Sequence, residues 1–187
     1  MRYHMEEFGK IVEVTGYKNI AATAAEEFLK ANRRQTQAVG IQFFDADLIA
    51  TREHLYFATL NALQAFRGKT NISKTPAMET MLFASAQRQI QRAIERSGIK
   101  PQTKNLAVVI IGDSEKPIEA ALGAVTASVG GEPCMSVLEM TKGKQERIRK
   151  AFEITDEEVK TAMKEGAEEK AVVDLVIERV ALLATQL

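Results

Sequence analysis

Cysteine occurs once in this chain, as Cys134, which leaves no second thiol for an internal disulfide. A reducing, cytoplasmic setting is the expectation. Histidine occurs only as His4 and His54, with no cluster at zinc-ligand spacing, so neither a metal nor a cofactor is expected. Net charge is also lacking. The 25 Lys and Arg residues balance 25 Asp and Glu, and no global field draws the protein onto nucleic acid or a membrane surface. Any RNA contact has to be a local patch. No apolar run approaches the ~20 residues of a membrane span, and MRYHMEEF lacks the apolar core of a signal peptide. A soluble, unprocessed protein is expected. Repeats, low-complexity tracts and flexible linkers are missing too.

What is present suits one domain over residues 1–187, since 45% hydrophobic residues can supply a sizeable core. The β-branched Ile11, Val12 and Val14 predict a first strand ending at Gly16. An amphipathic helix follows from Ala21 to Arg34. The run AVGIQFF, Ala38 to Phe44, reads as a central strand, with Asp45 and Asp47 punctuating the turn after it. Thr51 can cap a helix running to Arg67, which Gly68 stops. The near-continuous apolar run Asn105 to Ile111 predicts a strand covered on both faces. Ile118 to Val129 reads as a helix ended by Gly130 and Gly131, and Cys134 to Leu138 as a short fourth strand with Cys134 a small buried hydrophobe. Beyond Lys142 the chain turns helical: one helix to Phe152, a second opened by the capping-box spacing of Thr155 and Glu158, and a third from Glu168 to Ala184. The fold class is mixed α/β (α+β), about four strands packed with helices and a helical C-terminal part.

The stretch from Gly68 to Gly98 organises the rest. Thr75 is a reasonable N-cap and Pro76 suits a first helical turn, so a polar loop feeds a helix expected to run to Gly98 as a left-handed end. Met78, Leu82, Ala86, Ile90 and Ile94 fall on one face. Arg88, Arg92 and Arg96 fall four apart on another, and on spacing alone they read as a solvated face. Lys69 and Lys74 add charge to the loop.

Signals for catalysis are weak. Gly112 to Ser114 occupies the place of a nucleotide-binding turn, but neither GxGxxG nor GxxxxGK[ST] is present. His54 has no sequence-local Ser, Cys or acid arrangement, and Asp45 and Asp47 read as turn formers. A small α/β enzyme using Gly112 to Ser114 and His54 is the rival of a different class.

The segments FFDADLIATREHLYFATLNALQAF, GKTNISKTPAMETMLFASAQRQIQRAIERSGI and NLAVVIIG stand in an order and spacing that resemble the small kinase-binding regulatory subunit of the KEOPS tRNA-modification complex. The sharpest parts are Glu53-His54-Leu55, Asn71-Ile72-Ser73-Lys74, Glu79, Gln89-Ile90 and Gly98-Ile99. That resemblance implies a subunit that is not an enzyme. It would bind and regulate the small atypical kinase of the complex and recruit tRNA through its 3′ CCA end, for threonylcarbamoylation of adenosine 37. It places the RNA site at Lys69, Asn71, Ile72, Ser73 and Lys74; the charge stripe adds Arg88 and Arg92. A kinase-binding scaffold without RNA contact is the nearer rival, and no small-molecule substrate is implied.

The last helix carries Val172, Val173, Leu175, Val176, Ile177, Val180, Leu182 and Leu183, which cover far more than the ~100° stripe of a helix lying on a core. Either it is tucked between two elements of this chain, such as the Thr155 and Pro76 helices, or its edge near Leu175 and Leu182 forms an apolar partner surface.

Overall fold

The computed structural model describes residues 1–32, 39–164 and 166–185. In chain order the elements are β1 (Arg2–Met5), β2 (Lys10–Lys18), α1 (Ala22–Asn32), β3 (Val39–Asp45), α2 (Arg52–Gly68), α3 (Pro76–Ala84) and α4 (Ile90–Ser97). They continue as β4 (Leu106–Gly112), α5 (Glu115–Ser128), β5 (Glu132–Pro133), α6 (Lys142–Ala151), α7 (Asp156–Ala162) and α8 (Glu168–Thr185). The expected ends at Arg34 and Ala38 lie outside the described residues.

The strands form one antiparallel sheet in the order β1-β2-β4-β3, and β5 joins β2 at Tyr17 and Lys18, beyond the point where β1 leaves it. The fold is thus α+β as expected, with five strands among the described residues rather than about four. β4 is buried along its whole length, as its apolar run requires. Its odd-numbered residues Ala107, Val109 and Ile111 join Val12, Val14 and Phe44 on one face, under α2 and α3. Leu106, Val108 and Ile110 join Tyr17 and Phe43 on the other, under α1 and α5. A third cluster gathers Ile148, Phe152, Val159, Val172 and Val176 from α6, α7 and α8.

Five expectations change. β3 is an edge strand, not a central one, because β4 returns between it and β2. β2 runs through Gly16 to Lys18; a Cβ there would come within 2.4 Å of Val137 and 2.7 Å of the Cys134 carbonyl, so the glycine serves a close approach, not a turn. β1 is a strand where none was expected, since it has only polar and half-buried positions apart from Met5, and its Arg2 guanidinium is held by the Glu13 carboxylate at 3.0 Å. The segment expected as a fourth strand is the two-residue β5 followed by a 3₁₀ turn, Met135–Leu138, and Cys134 is half-buried between them. Its thiol lies 3.1 Å from the Ser136 hydroxyl, a hydrogen bond that lowers its pKa.

The fifth change concerns the helix from Pro76. It breaks after Ala84, where the Gln87 N–H donates to the Leu82 carbonyl and the Ala86 N–H to that of Phe83, with Ala86 left-handed at φ 49°. This pair of bonds is a Schellman closure built on alanine instead of glycine. Arg96 from α4 donates to the Ser85 carbonyl at 3.0 Å and fixes the break. Gly98 is extended (φ −73°, ψ 162°); a Cβ there would lie 2.5 Å from the Ile94 carbonyl.

Candidate nucleic-acid interface

The loop between α2 and α3 is closed from both ends. α2 stops one residue past Gly68, on left-handed Lys69 at φ 57°, and the Thr70 N–H donates to the Ala65 carbonyl at 2.9 Å. α3 starts where expected: the Thr75 hydroxyl accepts from the Met78 N–H at 3.2 Å, and Pro76 occupies the first turn. Between them, the Glu79 carboxylate reaches out of α3 and accepts the Ile72 N–H at 3.1 Å and the Ser73 N–H at 2.7 Å. The Asn71 amide donates to the Ser73 carbonyl and the Ser73 hydroxyl to the Thr75 carbonyl, each at 2.9 Å. Glu79 and Ser73 are buried by this, at 1% and 3% exposure.

The five loop residues expected at the RNA site therefore divide. Lys69, Ile72 and Lys74 are at the surface, Asn71 is half-buried, and Ser73 braces the loop from inside. Ile72 is 40% exposed, an apolar projection in a loop that also carries exposed Lys69 and Lys74. That arrangement suits a single-stranded nucleic acid, whose bases need an apolar platform and whose phosphates need a few cations. Glu79 is the residue that motif reading left without a role. Its signal was faint, because an acid in a first helical turn is ordinarily a dipole partner.

Arg88 and Arg92 come from a different element from the loop. Arg88 lies in the break before α4, and Arg92 lines a separate polar groove of about 1080 Å³ with Lys100, Lys104, Arg147 and Lys150. Arg96, the third member of the stripe, is structural. Besides Ser85, its guanidinium lies 5.6 Å from the centre of the Phe152 ring and 3.7 Å from Glu153, and burial lowers its pKa. The expected apolar edge of α8 divides too: Leu182 is 47% exposed, but Leu175 is 7% exposed, packed in the third cluster because α8 is clasped by α6 and α7.

His54 is fully buried. The Ala50 N–H donates to its Nδ1 at 3.1 Å, which leaves Nε2–H to donate to the Ala84 carbonyl at 2.8 Å. A proton added at Nδ1 would face a donor. Burial, opposed by the Ala84 bond and assisted by the charge of Lys144, lowers the pKa to about 4. The ring is thus a neutral bracket between the starts and ends of helices, with no opening to a substrate. Above pH ~6.5 it is neutral folded and unfolded, and its contribution is intact. As pH falls from 6.5 toward 4 only the unfolded chain takes up the proton, so stability declines by about 1.4 kcal/mol per pH unit, roughly 3 kcal/mol in all. Urea unfolding at pH 7 and 4.5 should show that decline in the wild type beyond whatever His54→Phe shows; equal pH slopes contradict it. At the rival enzyme turn, Gly112 is the last residue of β4 and Asp113 is ion-paired with Lys10.

Residues 17–184 match the family model described as kinase binding protein CGI-121. A curated relative, the regulatory protein Cgi121 of Methanocaldococcus jannaschii, is 34% identical over 113 residues, covering 60% of this chain and 70% of the relative.

Proposed function

This chain belongs to the CGI-121 family of kinase binding proteins, and from that membership we propose that it serves as a non-catalytic, cytoplasmic subunit of a KEOPS-type complex. It binds and regulates the small kinase and recruits tRNA by its 3′ CCA end at the loop from Lys69 to Lys74. The observation that carries the tRNA part is the bracing of that loop by Glu79, which leaves Ile72 exposed in a loop that also exposes Lys69 and Lys74. A loop held in one conformation before binding loses little freedom when it binds. Ile72 offers apolar surface to an unstacked base, and the two lysines offer charge to flanking phosphates.

Lys74→Glu tests this reading. The side chain is exposed and has no bracing role, so the fold should stay within about 0.5 kcal/mol of wild type. Loss of one charge-assisted phosphate contact should weaken tRNA binding about tenfold and flatten its log–log salt slope by roughly 0.7. Unchanged affinity and slope would remove Lys74 from the site.

A further inference from the structure

β3 has β4 on one side and no strand among the described residues on the other. Just past its end the Ala46 N–H donates to the Asn105 carbonyl at 2.9 Å. The antiparallel alternation run back from that bond turns the backbone of Gly40, Gln42 and Phe44 toward β4 and that of Ile41 and Phe43 outward. The Gln42 side chain already occupies the outward Phe43 carbonyl, donating to it at 3.1 Å. The N–H and carbonyl of half-buried Ile41 meet no protein partner among the described residues, whereas Phe43 is fully buried and closed to an added strand. Edges are ordinarily blunted by lysine, proline or a bulge, and VGIQFFD has none of these.

This edge runs along a groove of about 680 Å³. Leu29 of α1 forms one wall, Met78 of α3 and Ile94 of α4 the other, with Ile99 beside them. The charges on its rim are matched within the protein, Lys10 with Asp113 and Lys30 with Glu26. Among the described residues, phosphate therefore finds no uncommitted cation there. A second copy of this chain is disfavoured by shape, because its own β3 edge lies between the same walls. What fits is an extended backbone with uncharged side chains, supplying one N–H and one carbonyl to half-buried Ile41. We propose that this groove receives, by strand addition beside β3, a short uncharged segment of the kinase partner. The proposal rests on the kinase binding stated above and assigns it a place.

Calorimetric titration with the purified cognate kinase decides it. Ile41→Pro removes the outward N–H without breaking a bond to β4, and Ile94→Lys places a charge on a wall residue that is 38% exposed. Both variants should bind the kinase at least tenfold more weakly, and in the wild-type complex the amide of Ile41 should exchange at least tenfold more slowly than in the free protein. If both variants bind within twofold of wild type, or the Ile41 amide is unprotected in the complex, the strand site is overturned and kinase binding stands. A wild-type protein that does not bind the kinase overturns both. Doubling of mass in solution that Ile41→Pro abolishes would assign the edge to a second copy and also overturn the proposal.

Discussion

Leu175→Glu should be the most damaging single change considered, at a cost of about 4 kcal/mol or more. Leu175 packs in the cluster of Ile148, Phe152, Val172 and Val176, where a carboxylate has no water. Arg179, one turn on, cannot easily rescue it. That guanidinium is already committed to the Glu158 carboxylate at 2.7 Å and the Phe152 carbonyl at 3.0 Å. Leu182→Glu is the internal control, because its side chain is 47% exposed and its replacement should lie within about 0.5 kcal/mol of wild type. Urea unfolding of the two variants should separate them by several kcal/mol, and equal stabilities would contradict the packing of α8. The breadth of the apolar surface on α8 has a plain cause. Its first half serves the cluster with α6 and α7, and its second half, through Val180 and Leu183, serves the core under α2 and α3.

Glu79→Gln is expected to cost about 2 to 3 kcal/mol, because one of the two backbone N–H groups loses an ionised acceptor and the new amide presents a donor to it. For a chain of this size that corresponds to a fall in Tm of roughly 4 to 12 °C. A distinguishing mark accompanies it. Amide exchange at Ile72 and Ser73 should accelerate more than exchange in β4, because the loop loosens before the core opens. With the loop no longer held, tRNA affinity should fall as well, although Glu79 is buried and touches no RNA. A variant that keeps wild-type Tm and wild-type exchange at those two amides would show that the carboxylate does not brace the loop.

Much of the architecture was legible because it is written in local chemistry. Thr51, Thr75 with Pro76, and Thr155 with Glu158 each cap the helix expected of them, and the last pair forms a reciprocal capping box. The double-sided apolar run of β4 identified the buried strand. The misreadings share a cause, since each depends on a contact distant in sequence or on a residue in an unusual role. Ala86 is a good helix former, so nothing local marks it as the left-handed residue that ends α3. Gly16 and Gly98 are glycines for lack of space beside Val137 and Ile94, which is invisible until those side chains are placed. Of the candidate site, the exposed loop was readable from Lys69, Ile72 and Lys74. Its brace was not, and the periodic stripe of Arg88, Arg92 and Arg96 presumed one long helix that the Ala86 break divides.

Gel shifts of intact tRNA and of the same tRNA lacking its terminal CCA test most directly whether the braced loop takes the 3′ end of tRNA. Intact tRNA should be retarded by the purified protein, and removal of the CCA should weaken binding at least tenfold at fixed salt, an effect of at least about 1.4 kcal/mol. Equal affinity for the two RNAs, or no binding of either, would contradict the assignment of the loop from Lys69 to Lys74 as the tRNA-end site.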